Sequence, residues 1–121
     1  MDKKIMIVDD ALFMRKTIRR ILESDGYTEI LEMADGESAL SVYDEEKPDL
    51  VILDITMPGM SGLAVLEEII RRNPQAKIVM CSAVGQEMMI QKAVVMGASD
   101  FIVKPFKTEE FQRIIRRTLG D

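Results

Sequence analysis

The chain has 121 residues, of which 47% are hydrophobic and 31% charged, with a formal net charge of −5. That balance fits one soluble globular domain, and the lack of a basic excess argues against a nucleic-acid partner. One cysteine excludes an internal disulfide, no apolar run reaches the length of a membrane span, and the absence of histidine removes Ser-His-Asp, Cys-His and histidine–zinc chemistry together.

Short apolar runs alternate with amphipathic segments from end to end, which predicts an α/β fold with a parallel sheet. The first strand is expected at Ile5–Val8. A helix follows with Met14, Ile18, Ile21 and Leu22 inward and Arg15, Lys16, Arg19 and Arg20 outward, stopping at Gly26. Glu29–Met33 is mixed in character and predicts an edge strand. The second helix starts near Asp35-Gly36, with Asp35 as its cap, turns Ala39, Leu40 and Tyr43 inward, and ends before Pro48. Leu50–Leu53 is the third strand. The helix after it has Ser61 as N-cap and Leu63, Leu66, Ile69 and Ile70 as its stripe, with Glu67 and Glu68 placed to pair with Arg71 and Arg72. Ile78–Cys81 is the fourth strand, with Cys81 read as core. The fourth helix, from about Gln86 to Met96, has Ile90, Ala93, Val94 and Gly97 as its core stripe and sets Met88 and Val95 on another face. Phe101–Val103 completes the strands. In the last helix Thr108 is the N-cap, Glu109 and Glu110 face the positive end of the dipole, and Phe111, Ile114, Ile115 and Leu119 point inward. No linker, repeat or low-complexity tract interrupts the pattern, so residues 1–121 are expected to form a single domain.

In a parallel sheet all strand C-termini share one rim, and open α/β sheets bind ligands there. Asp9-Asp10 follow the first strand, Asp54 the third, Ser82 the fourth and Lys104 the fifth. Each has a structural reading when taken alone: Asp10 as a helix cap, Ser82 as the start of a turn, Lys104 as a solvated charge. Gathered together they are harder to explain that way. Two carboxylates ~4 Å apart repel by roughly 4 kcal/mol at an effective dielectric near 20, so one is protonated or a cation joins them. Three oxygen donors suit a hard ion that keeps several waters, Mg²⁺ with Mn²⁺ as a substitute. A cation beside a carboxylate, a lysine and a hydroxyl is equipment for holding a phosphoryl group, whose transfer needs in-line positioning and charge neutralisation. The carboxylate can be the nucleophile, giving an acyl phosphate. Gly59 and Gly62 permit a turn whose backbone N–H groups cradle the oxygens.

"IMIVDD" (5–10), "LVILDITMPGMSGL" (50–63), "CSAVGQ" (81–86) and "FIVKPF" (101–106) together resemble the receiver domain of two-component response regulators over essentially the whole chain. Within that family the likeness is greatest to the stand-alone chemotaxis regulators. The resemblance implies a flavodoxin-like (βα)5 three-layer sandwich around a parallel five-stranded sheet of order 2-1-3-4-5. It implies that Asp54 is the phosphoacceptor, served by Lys104 and Ser82, and that the main chain of Ile55, Thr56 and Ala83 binds the phosphoryl group. Mg²⁺ would be held by Asp9, Asp10, Asp54 and the Thr56 main-chain carbonyl, with Asp9 acting mainly through water. The Lys104–Pro105 bond would be cis. Ser82 and Phe101 would form the switch, with Phe where many relatives have Tyr, so that it works by ring burial alone. Thr56 and Val84 stand where the family tunes acyl-phosphate hydrolysis, and neither supplies a carboxylate or amide to guide water, so slow self-dephosphorylation is expected.

The implied function is a signalling switch rather than an enzyme. The phosphodonor would be a sensor histidine kinase, which places the missing histidine on the partner. The face made by the fourth helix, fifth strand and fifth helix would dock a downstream protein, such as a flagellar switch or a phosphatase, in chemotaxis. A cytoplasmic monomer is expected, with dimerisation on phosphorylation left open. Arg113, Arg116 and Arg117 read either as a solvated face or as a basic docking stripe. Three alternatives stay open: a phosphorelay intermediate that passes phosphate to a histidine phosphotransfer protein, a receiver domain cut from a longer regulator, and an Mg²⁺-dependent hydrolase. The last wants an Asp-x-Asp pair and a cap segment, whereas Asp9 and Asp10 are adjacent and no cap segment is present.

Overall fold

The structure, a computed structural model, describes residues 2–121. Strands and helices alternate strictly: β1 (Lys4–Val8), α1 (Leu12–Ser24), β2 (Glu29–Met33), α2 (Gly36–Glu46), β3 (Leu50–Asp54), α3 (Gly62–Arg72), β4 (Ile78–Ala83), α4 (Glu87–Met96), β5 (Asp100–Lys104) and α5 (Thr108–Leu119). The strands form one parallel sheet in the order β2-β1-β3-β4-β5, the flavodoxin-like arrangement that the family resemblance implied.

The uniformly apolar strands hide an alternation. Ile5, Ile7, Leu50, Ile52, Val79 and Cys81 join Ile18, Leu22, Phe111 and Ile115 of α1 and α5 in one core. Met6, Val8, Val51, Leu53, Ile78 and Met80 join Ala39, Tyr43, Val65, Leu66 and Ile69 of α2 and α3 in a second. Because helices cover both faces, the central positions of β1, β3 and β4 are apolar on both sides and the period-2 signal vanishes there. Burying one such side chain is worth about 1.5–3 kcal/mol, so the sheet centre fixes where β1, β3 and β4 end. β2 lies at the edge, as its mixed composition predicted.

The caps follow the sequence in two cases. Asp35 accepts from Ser38 N–H at 2.8 Å and Ser61 from Ala64 N–H at 3.2 Å. Thr108 is not a cap: it is the first residue of α5, and Lys107 stands at the N-cap without a side-chain bond. Glu68, not Glu67, collects both Arg71 (2.6 Å) and Arg72 (2.7 Å), because it lies three and four residues before them. On α1, Arg19 does not point into solvent. Glu32 of β2 pairs with Arg15, Lys16 and Arg19 and draws the basic face onto the sheet edge. Val94 departs furthest from expectation, at 51% exposed. α4 leans on α3 and β4, which takes Ala93 into the core; Val94, about 100° further round the helix, faces the open side.

Candidate functional site

β1 runs out into Asp9, whose amide still donates to the Met33 carbonyl of β2 at 3.1 Å. Asp9 is 2% exposed, and its oxygens are committed. Oδ1 accepts from Ala11 N–H at 2.9 Å, Oδ2 from Lys104 Nζ at 3.2 Å, and the main-chain carbonyl from Arg15 Nη1 at 2.7 Å. Asp10 is exposed and does not cap α1, whose N-cap is Ala11.

Asp54 is the last residue of β3 rather than the first of a loop. Its Cα is paired with Cys81, and Ile55 N–H donates to the Cys81 carbonyl at 3.0 Å, so the backbone carrying the carboxylate is held from the β4 side. Asp54 Oδ1 accepts weakly from Thr56 N–H (3.4 Å) and lies 3.4 Å from Lys104 Nζ. Burial raises the Asp54 pKa, Lys104 pulls against the rise, and the Asp9 charge adds to it. Burial disfavours the Lys104 ammonium, but Asp54 and Asp9 outweigh it and raise the Lys104 pKa. Lys104 is thus a cation that joins two of the crowded carboxylates, and the bond from it to Pro105 is cis.

One oxygen from each of Asp9, Asp10 and Asp54 lies within 4.8 Å of the others. Three hard carboxylate donors without nitrogen or sulfur fit Mg²⁺ or Mn²⁺.

Ser82 and Ala83 are the final residues of β4. Ser82 is fully buried, and its Oγ has no hydrogen-bond partner among the described residues. A buried hydroxyl in that condition costs about 1–3 kcal/mol, which an acceptor arriving at the rim would relieve. Cys81, one residue back, is buried, and burial pushes its thiol up to about 12, so it is inert core. Phe101, on β5, is 39% exposed and lines an apolar groove of about 720 Å³ with Val84, Ile90, Val94 and Val95.

Gly59 has a φ of +76°, a left-handed conformation within the turn that the sequence allowed there. Gly62 is required for another reason. Its N–H donates to the Ile55 carbonyl at 2.8 Å, and an added Cβ would overlap the Asp54 carbonyl oxygen. The first turn of α3 therefore rests directly on the main chain that carries Asp54.

Sequence reasoning missed two residues. Arg15, read as outward, holds the Asp9 carbonyl. Gln86, read only as a helix start, spans the site: Oε1 accepts from Ala83 N–H at 2.6 Å and Nε2 donates to Thr56 Oγ1 at 2.6 Å. An amide does reach Thr56, then, delivered by a residue just past Val84 rather than by Thr56 or Val84 themselves. The available signal was Gly85, whose φ of +95° folds the chain back before α4.

The family model described as response regulator receiver domain matches residues 5–116. The chemotaxis protein CheY of Bacillus subtilis is 47% identical over 120 residues, covering 99% of this chain and 100% of the relative. CheY of Thermotoga maritima is 48% identical over 107 residues, covering 88% of this chain and 89% of the relative. Among solved structures, the receiver domain of NtrX from Brucella abortus matches with a TM-score of 0.92 at 35% identity, over 97% of this chain and 98% of that one. A family pattern that runs through nearly the whole sequence, carried on a sheet of the same strand order, places the chain: it belongs to the response regulator receiver domains of two-component systems and is CheY-like.

Proposed function

We propose that residues 1–121 constitute one receiver domain in which Asp54 accepts a phosphoryl group from a phosphohistidine of a sensor histidine kinase. The observation that carries this reading is the placement of Lys104 Nζ, 3.2 Å from Asp9 and 3.4 Å from Asp54, on the same rim as a buried Ser82 hydroxyl that has no partner among the described residues. Oδ1 of Asp54 is occupied by Thr56 N–H and Lys104, leaving Oδ2 without a hydrogen bond among the described residues. Oδ2 attacks phosphorus and the P–N bond breaks. The imidazole leaves with the bonding electron pair, neutral when its other nitrogen carries a proton. Lys104 stays charged through the step and neutralises the phosphoryl oxygens. Of the main-chain donors expected there, Ile55 N–H is spent on the Cys81 carbonyl at 3.0 Å, so the N–H groups of Thr56 and Ala83 remain to meet those oxygens, and Ser82 Oγ donates to one of them. Held by Asp9, Asp10, Asp54 and the Thr56 carbonyl, Mg²⁺ would supply the remaining charge neutralisation.

Ser82 lies on β4 at the register of Val103, and Phe101 is two residues earlier on β5. Movement of Ser82 toward phosphate lets the Phe101 ring turn inward and changes the α4–β5–α5 face. Val84, Val94 and Val95, at 76%, 51% and 88% exposed, give that face an apolar surface for a downstream protein. The chemotaxis names of the relatives support a role in chemotaxis, and a flagellar switch or phosphatase is the partner this reading proposes. A cytoplasmic monomer completes the reading; the net charge of −5 supports the lack of a nucleic-acid partner, and among the described residues no helix is long and apolar enough to cross a membrane.

The test is to mix the protein with acetyl phosphate and Mg²⁺, measure intact mass, and repeat with Asp54→Asn. One phosphoryl adduct is expected in the wild type and none in the variant; equal yields overturn the assignment. Decay of the adduct within seconds would overturn the slow hydrolysis expected here.

A further inference from the structure

The Gln86 carboxamide occupies a donor that the phosphorylation reading needs. Ala83 N–H is the last main-chain donor of β4, adjacent to Ser82, and in this structure it is given to Gln86 Oε1 at 2.6 Å. The other end of the same carboxamide is fixed to Thr56 Oγ1 at 2.6 Å, and Thr56 N–H in turn leans on Asp54 Oδ1 at 3.4 Å. Gln86 also stands at the N-cap of α4, where its main-chain carbonyl accepts from Ile90 N–H at 3.0 Å. One side chain thus connects the loop after the phosphoacceptor, the end of β4 and the start of α4.

We propose that Gln86 is a positioning residue that latches the unphosphorylated site. It holds Ala83 N–H in place of a phosphoryl oxygen and must let go before that oxygen can bind. This rests on the reading of Asp54 as phosphoacceptor and of Ala83 N–H as a phosphoryl donor. The exchange is directional, because a neutral amide carbonyl is a weaker acceptor than a charged phosphoryl oxygen. The released carboxamide stays attached to the first turn of α4, so the event at Asp54 is passed to that helix by loss of a tether. The latch also ties Thr56 to β4 while it is closed, which keeps the loop after Asp54 from drifting before phosphorylation.

The probe is beryllofluoride, an acyl-phosphate mimic, titrated by fluorine NMR into the full chain in saturating Mg²⁺. Removing the competing acceptor should tighten binding by about three- to tenfold in Gln86→Ala, the worth of one neutral hydrogen bond. Gln86→Met keeps the length of the side chain without the carboxamide and should match Gln86→Ala, which separates the latch from mere bulk. In the apo protein the Ala83 amide proton should move upfield in both variants, a change that a purely structural role for Gln86 elsewhere would not produce. Thr56→Val frees one end of the clamp, so its effect on affinity should be largely absent when Gln86 is already Ala. Binding unchanged within twofold in Gln86→Ala, or an unmoved Ala83 amide, overturns the latch while leaving the phosphoacceptor intact. Wild-type protein that takes up neither beryllofluoride nor phosphate overturns the phosphoacceptor reading and the latch with it.

Discussion

Where the strands begin, polar groups are paired off. Lys4 N–H donates to Asp49 at 2.7 Å, Lys4 Nζ to Glu46 at 3.1 Å, Ile78 N–H to Ser99 Oγ at 3.1 Å, and Arg116 grips Asp25 through bonds of 2.8 and 2.9 Å. Where the strands end, Asp9 and Asp54 share one lysine and Ser82 Oγ has no partner among the described residues. The same sheet therefore has a satisfied end and an unsatisfied one. The second is held in place by the two apolar cores beneath it together with the bonds of Asp9 and Gln86, which leave Ser82 Oγ unserved among the described residues. Affinity for an incoming charged group is what such an arrangement yields, since the ligand completes contacts the fold leaves open.

Breaking the one bridge at the unsatisfied end should have the largest effect. Lys104→Met leaves Asp9 and Asp54 facing each other, and it should cost about 1–3 kcal/mol in urea unfolding once solvent access to the rim is allowed for. Saturating Mg²⁺ should return much of that loss. Full stability without Mg²⁺ would show that the carboxylates are not in conflict.

The next effect has the opposite sign. The folded Asp54 pKa is raised, chiefly by burial, so ionising it opposes folding. That penalty is absent below the unfolded carboxylate pKa, grows as pH rises toward the folded value, and is complete above it. Asp54→Asn should accordingly melt a few degrees higher than wild type at neutral pH without Mg²⁺, with the gain fading as the solution is acidified through the carboxylate range. A gain that grows on acidification would reverse the assignment. The smallest effect is expected at the satisfied end. Arg116→Ala removes an exposed ion pair and should leave the urea midpoint nearly unchanged and indifferent to Mg²⁺. A large loss there would erase the contrast between the two ends.

The strand positions and the rim residues Asp9, Asp10, Asp54, Ser82 and Lys104 were legible because each depends on local pattern, an apolar run followed by a polar residue, with one edge strand betrayed by Glu29 and Glu32; the strand order came only from the family resemblance. What escaped depends on distance in the chain or on orientation. Gly62 looks like a turn glycine, and only the packed α3 reveals that it is excluded volume at Asp54. Gln86 contacts Thr56 thirty residues away, a pairing no local pattern encodes. Val94 has the spacing of a core residue, but its burial depends on how α4 is rolled, and that is set by α3 and β4. Thr108 has the right chemistry for a cap one residue too late, the usual scale on which helix boundaries slip.

The burial of Cys81 has a practical consequence for watching this molecule work. The chain has no tryptophan and a single cysteine, and that thiol is sealed in β4 with its ionisation suppressed. A maleimide dye or spin label will pass over the native protein, so one engineered thiol, for example Val95→Cys on the outer face of α4, becomes a unique attachment point without first deleting the natural one. The fold supplies its own clean background for a reporter on α4, the helix that the proposed latch would release.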